Sequence, residues 1–388
     1  MGTRWRHTVS AVAILAALLG CGEDVSSPTG PASSPALAAT TMAAPAFRQI
    51  NVGFFHSCGV TTANLAYCWG ENSHGQLGDG TTAGTQVCSG FTCNPRPVAV
   101  VGGQTYQQVV PHSGGGLTCG LATDDLVYCW GFGYSPAPTA LPGGIRFSRL
   151  ALGGGGCGVG LDQQVYCWGS NTNGQLGDGT TQDHATPRAV SGGRHYQQVS
   201  SDDLHACAVT VGGVLFCWGL NASGQLGDGT TADRRTPAQV QAGKLRFRMV
   251  SVTLYHTCAI TTTDVAYCWG ANEYGRLGNG TWNQASLVPS KVRGGIHFHA
   301  ITAAGDDTCA LTATGAAYCW GWLQSGQKSR LPIPAGGKLA FRQLNDHIDH
   351  ICGVSTGNVG YCWGGNVYGQ LGDGTTDRRG APTSVVNP

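Results

Sequence analysis

From Phe47 onward the chain alternates apolar and polar residues over short runs broken by glycine-rich turns, and no stretch carries helical periodicity. A period of two predicts short strands with one face buried. One phrase recurs seven times: Tyr67-Cys68-Trp69-Gly70, then the Tyr-Cys-Trp-Gly or Phe-Cys-Trp-Gly runs centred on Trp130, Trp168, Trp218, Trp269, Trp320 and Trp363. Successive tryptophans lie 61, 38, 50, 51, 51 and 43 residues apart, and repetition at this period outranks any local propensity. The long interval holds an insertion with Cys88 and Cys93. The two short ones lack the segment N-x-x-G-Q-L-G-D-G-T that begins at Asn72, Asn171, Asn221 and Asn366 and, with Arg276 and Asn279 as variants, at Asn272. Proline-rich connections, Ser135 to Pro142 and Gln324 to Pro334, stand in its place.

In the full repeat ending at Trp269 the pattern predicts four strands: Pro237 to Val240, Phe247 to Val250, a third beginning at His256 and a fourth ending at Trp269. The Ala242-Gly243 pair reads as a hairpin turn between the first two. About fifty residues in four antiparallel strands is the size of a propeller blade. The expected fold is therefore all-β, a seven-bladed β-propeller of four-stranded antiparallel blades. The first repeat opens at Phe47 without its Pro-x-x-Val strand, and Pro382 to Val386 supply one with no repeat following. The C-terminal strand is thus expected to join the N-terminal blade, leaving no open sheet edge.

Upstream, Arg4, Arg6 and His7 precede an apolar stretch, Thr8 to Leu19, short for a membrane span. Residues 1–20 read as a signal peptide. Leu18-Leu19-Gly20-Cys21 resembles the lipobox of bacterial lipoproteins, which implies cleavage before Cys21 and its lipidation. With Gly22 rather than aspartate next, the resemblance implies an outer-membrane anchor where the host has one. Residues 21–45, rich in Ser, Pro, Ala and Thr, cannot bury enough apolar surface to offset ordering and predict a flexible tether; the propeller is expected over 46–388.

Glycine reaches 62 residues and charged residues only 11%, well under the ~25% of ordinary soluble domains. Beyond residue 20 the chain has 20 basic and 21 acidic side chains. Such a balance exerts no pull on phosphate backbones, so nucleic acid is not an expected partner.

The 17 cysteines point to an oxidising compartment. Seven Cys-x9-Cys pairs accompany the repeats: Cys58 with Cys68, Cys119 with Cys129, Cys157 with Cys167, Cys207 with Cys217, Cys258 with Cys268, Cys309 with Cys319, and Cys352 with Cys362. Cys88 and Cys93 form an eighth, leaving Cys21. A hairpin pivoting on Ala63 sets Cys58 opposite Cys68, at the ~4.5 Å of a non-hydrogen-bonded antiparallel site, within disulfide reach. Zinc sites use closer pairs brought together, and dithiol redox chemistry uses Cys-x-x-Cys; no metal or other cofactor is expected. Alternation sends Tyr67 and Trp69 to one face of a blade and Ala66 and Cys68 to the other. Stacking bulky on small between blades makes the tryptophans structural.

The run His256-Thr257-Cys258-Ala259-Ile260 through Trp269-Gly270-Ala271-Asn272, with the GQLGDGT loops, resembles the repeats of the chromosome-condensation-regulator (RCC1) family, which implies a seven-bladed propeller. That family's best-known eukaryotic member exchanges guanine nucleotide on a small GTPase, a partner an exported chain would not meet. Related plant UV-B photoreceptors carry tryptophan and arginine in the loop before the His-Thr pair. Here those loops read Gly53-Phe54-Phe55-His56, Asp202-Asp203-Leu204-His205, Thr253-Leu254-Tyr255-His256 and His347-Ile348-Asp349-His350, so photoreception by that route is not expected.

Loops that vary on a repeating frame are where binding concentrates, which makes Phe54, Phe55, Asp203, Leu204, Leu254, Tyr255, Ile348 and Asp349 the candidate binding residues. His56, His205, His256 and His350 stand two residues before the first cysteine, where the other repeats have Leu117, Gly155 and Asp307; a position filled once per blade reads as part of the scaffold's hydrogen bonding. Asp79, Asp178, Asp228 and Asp373 read as turn residues, since calcium needs several oxygens where each turn offers one carboxylate. No nucleophile elbow, P-loop, HExxH or dinucleotide fingerprint is present. An enzyme would need a non-repeated acidic cluster, for which Asp202, Asp203, Asp306 and Asp307 are the raw material. The reading is a monomeric, exported, lipid-anchored, non-catalytic module presenting loops to a protein partner. A lectin-like glycan-binding propeller is the first alternative and nucleotide-exchange activity the second.

Overall fold

The computed structural model describes residues 45–388. The expected signal peptide, Cys21 and all but residue 45 of the expected tether lie outside them. Seven antiparallel sheets follow one another in chain order, and the sole helical turn among the described residues is Glu273–Gly275. Blade 5 shows the common plan: Phe247–Thr253 innermost, then His256–Thr261, Ala266–Gly270 and, outermost, Ser286–Lys291. Blades 1 to 4 start with inner strands at Phe47, Tyr106, Phe147 and Tyr196, and blades 6 and 7 at Ala300 and Phe341. Blade 1 has a fifth strand, Gln86–Cys88, formed by the insertion. The second-to-third-strand turns place Asn64, Asp125, Asp264 and Asn358 at φ 62 to 67°, the left-handed region that Asn and Asp tolerate best among residues with a side chain.

Two expectations need correction. The Pro-x-x-Val strand belongs to the blade before it: Arg234–Gln239 pairs with the third strand of blade 4, Cys217 facing Ala238, and Ala242-Gly243 links two blades instead of turning a hairpin. For the same reason the C-terminal strand does not join the N-terminal blade. Arg379–Ser384 is the outer strand of blade 7, paired with Gly360–Gly364, and blade 1 uses its own Phe91–Ala99.

The ring closes through the contacts that join every other pair of blades. Phe47 N donates to Asn358 O across the closure at 2.8 Å, as Phe247 N does to Gly213 O and Phe298 N to Asp264 O elsewhere. The Gln343 amide clamps Ile50, accepting from its N at 2.9 Å and donating to its O at 3.0 Å; Gln108 clamps Leu150 and Gln198 clamps Val250 likewise.

The core is seven similar layers between neighbouring blades. The Cys58–Cys68 disulfide of blade 1 packs with Val60, Leu77 and Trp130 of blade 2, and Trp69 of blade 1 packs against Cys352 and Cys362 of blade 7. All eight pairs are bridged; the seven repeated ones have Cα–Cα distances of 4.0 to 4.1 Å and Cys88–Cys93 5.9 Å. Each full loop meets the next indole: Trp130 Nε1 donates to Gln76 O at 2.9 Å and Trp269 Nε1 to Gln225 O at 2.9 Å. A Cβ on Gly78 or Gly227 would lie 2.6 or 2.5 Å from that indole nitrogen, which is why the motif has glycine after Gln-Leu.

Candidate functional site

Antiparallel pairing brings the first-to-second-strand loops and the third-to-fourth-strand loops out at one end of every blade, because His56 faces Gly70 and His256 faces Gly270. Both variable loop sets therefore form one face of the ring. The large exposed aromatic side chains of the described residues, Phe91, Phe132, Tyr255, Trp282 and Trp322, all belong to these loops or to the strand end entering them. Among the exposed large hydrophobic side chains, the turns at the opposite face contribute only aliphatic ones, Leu65, Val101, Leu161 and Val211.

The sequence-predicted residues occupy this face in separate groups. Phe54 and Phe55 stack edge to face at 4.4 Å; Phe54 meets His347 at 5.8 Å and Phe55 meets Tyr368 at 4.8 Å, joining blades 1 and 7. Asp203 accepts from Ser113 Oγ at 2.9 Å, so blade 4 reaches the blade 2 loop over the glycines of blade 3. Leu204 and Leu254 are half-buried, and their carbonyls accept from Leu220 N and Gln225 Nε2. Tyr255 lies 5.8 Å from the Arg276 guanidinium. Ile348 and Asp349 line a cleft of ≈ 490 Å³ with Asp306, Trp322 and Arg378.

A second cleft, of ≈ 420 Å³, lies where blades 7, 1 and 2 meet. Phe55, Tyr368 and Phe91, the last two with ring centroids 6.1 Å apart, make one aromatic group; His74 and Phe132, 5.4 Å apart, make another. The Gly114–Gly116 strip runs between them: a Cβ on Gly115 would lie 2.7 Å from the Phe55 ring and one on Gly116 3.3 Å from Phe132. Glu71, only 4% exposed, lines the cleft. Its carboxylate accepts from Gln76 Nε2 at 2.7 Å and from the Ser73 hydroxyl, with His74 Nδ1 3.8 Å away. His112 accepts at Nδ1 from Gly114 N at 2.9 Å, which leaves its Nε2 facing Asp203 at 3.9 Å, and burial lowers its pKa. Of this cleft, sequence reasoning singled out Phe55 alone. The missed signal was available: within N-x-X-G the position X varies as His74, Asn173, Ser223, Tyr274 and Tyr368, while the scaffold residues around it stay fixed.

The four histidines are scaffold, but they bond between blades. His56 Nε2 meets Thr118 Oγ1 at 2.7 Å, His205 meets Thr257 at 2.8 Å, His256 meets Thr308 at 2.8 Å and His350 meets Ser57 at 2.7 Å. Each hydroxyl donates onward to a loop carbonyl, of Gln76, Gln225, Arg276 or Gln370. Its oxygen must therefore receive the Nε2 proton, which in the neutral imidazole fixes the Nε2-protonated tautomer. Burial pushes His56, His205 and His350 down to about 3, and His256 well below its ordinary value.

Blade 6 carries Asp307 at the histidine position, and the next blade has Ile351 instead of a hydroxyl. Asp307 turns to Asp346, and the two carboxylates lie with Cys309 Sγ inside 4.8 Å. The sulfur is committed to Cys319, so two carboxylates remain, few for a metal. Burial, then the Asp306 charge, pushes Asp307 up to about 8; burial and Asp307 raise Asp346. The turn aspartates are engaged by protein donors, as Asp228 is by Thr230 N, Thr230 Oγ1 and Arg234.

The regulator of chromosome condensation (RCC1) repeat matches residues 162–209, 212–260 and 264–311, and a second description of the same repeat matches 47–76, 197–225 and 250–276. The chain carries RCC1 repeats. This RCC1-repeat propeller is 28% identical over 298 residues to the ultraviolet-B receptor UVR8 of Arabidopsis thaliana, covering 72% of the chain and 66% of the receptor, just under two thirds of its length. In fold it is similar to human WBSCR16 (TM-score 0.73, 17% identity, 84% of this chain and 94% of that one). It is also similar to Prp20p of Saccharomyces cerevisiae (TM-score 0.67, 18% identity, 76% and 79%), whose structure was described with its binding to Gsp1p and histones.

Proposed function

We propose that the protein is an exported, lipid-anchored binding module, without catalytic activity, that engages a protein partner through its loop face. The observation that carries this reading is the segregation of exposed aromatic side chains to one face, on loops that vary while the ring beneath repeats. Aromatic residues on a rigid frame are the usual anchors of protein recognition. The eight disulfides fit an oxidising compartment, and no helix of the described residues is long and apolar enough to cross a membrane. Anchoring would come from Cys21 on residues 21–45, with residues 1–20 removed and 46–388 forming the domain. The binding of Prp20p to proteins is a precedent for the fold in this role.

Affinity capture from intact envelopes with the mature domain, alongside a Phe132→Ser/Trp322→Ser variant, tests the reading. A protein retained by the native domain and lost with the variant supports it. Glycans bound on an array with no protein recovered would replace it with the lectin-like alternative. Metabolic labelling with a fatty acid, lost in Cys21→Ala, tests the anchor.

A further inference from the structure

We infer that the aromatic cleft between blades 7, 1 and 2 binds a small soluble quaternary ammonium compound, a site that stands whether or not the loop face also takes a protein. Six rings line it, from Phe55, Phe91, Tyr368, Phe132, His74 and His112, and the faces of the three phenylalanines and the tyrosine attract a cation placed over them. The charge is complementary. Glu71 is the one carboxylate in the lining, 4% exposed, and no lysine or arginine lines the cleft with it.

The form of the cation follows from the hydrogen bonds. Gln76 and Ser73 already donate to the Glu71 carboxylate, and the rest of the lining is largely aromatic carbon and glycine. A primary ammonium would lose three hydration hydrogen bonds for few acceptors, whereas a trimethylammonium group has no N–H to satisfy and an apolar surface to bury. A volume of ≈ 420 Å³ is in the range of small-ligand pockets, ~300 to 1,000 Å³. The cleft is also non-repeated. Phe91 comes from the disulfide-closed insertion, Phe132 from the trimmed connection of blade 2, and the Gly114–Gly116 strip removes side chains where they would fill the space.

Isothermal titration of the folded domain with choline tests the site, with 3,3-dimethylbutan-1-ol, its neutral isostere, as control. Choline is expected to bind at least tenfold more tightly than the alcohol, and Glu71→Gln and Phe132→Leu each to weaken choline at least tenfold with the melting temperature of Phe132→Leu unchanged. Phe132 is 66% exposed, so the second variant keeps the test independent of folding. Equal binding of choline and the alcohol, no binding of choline, or binding of phosphatidylcholine vesicles without binding of choline would each overturn the inference. None of these results bears on protein capture through Trp322, on another part of the face.

Discussion

Replacing His205 by glutamine should flatten the acid sensitivity of the fold by a calculable amount. His205 is fully buried, its Nε2 donates to Thr257, and burial alone holds its pKa at about 3. In the unfolded chain it titrates near its ordinary ~6.5. The folded pKa is the lower one, so the folded state stays neutral while the unfolded state gains a proton. Stability is full above the unfolded value and is lost as pH falls from there toward the folded one. Between pH 7 and 5 the imidazole in the fold remains neutral, and the loss is set by protonation of the unfolded state alone, about 2 kcal/mol. Glutamine can donate to Thr257 Oγ1 but carries no titrating group. The variant is expected to be less stable at pH 7, through poorer packing, yet to lose about 2 kcal/mol less than the parent on going to pH 5. Other titrating groups cancel in this difference. Guanidinium unfolding followed by tryptophan fluorescence at the two pH values, with disulfides intact, measures it. Equal losses for parent and variant would refute the argument that the imidazole is neutral and sealed from water.

Three further outcomes follow from the same contacts. Asp307 and Asp346 are raised in the fold, so their protonated form is the stable one there and stability falls as pH rises toward about 8; Asp307→Asn should remove much of the loss between pH 6 and 9 in the same unfolding assay. Changing Cys258 and Cys268 together to alanine opens a bridge of sequence separation 10 and should cost about 2 to 3 kcal/mol by loop entropy, read as a shift in denaturant midpoint. Gly227→Ala drives a Cβ to 2.5 Å from the Trp269 indole nitrogen at φ +68° and should cost at least about 2 kcal/mol, with altered tryptophan emission.

Blade number, sheet composition and disulfide pairing were legible because identical residues recur at fixed spacing, and a register that repeats seven times leaves little freedom. The phase of the blade was not. A cyclic pattern reads the same from any starting strand, so the sequence cannot say whether Pro237 to Val240 pairs with Trp218's strand or Phe247's; backbone hydrogen bonds to Cys217 and Phe216 decide it. The supposed shared closing strand failed with the same ambiguity. The histidine network was written in the sequence in a form spanning two repeats: each histidine is followed one blade later by a hydroxyl at the adjacent position, Thr118, Thr257, Thr308 or Ser57, and where Leu117, Gly155 and Asp307 stand, the next blade has Gly156, Ala206 and Ile351. The Asp307–Asp346 pair joins positions that are not equivalent in the repeat, so no alignment of one blade on another exposes it. The aromatic cleft is harder still, since it draws on an insertion, a deletion and three blades.

The central claim is that recognition belongs to one face of the ring. Photo-crosslinking residues placed singly at Phe132 and Trp322 on the loop face, and at Leu161 and Val211 on the opposite face, test it in intact envelopes. Adducts with one protein from the first two positions and none from the second two are expected; adducts arising from Leu161 or Val211 instead would contradict the account.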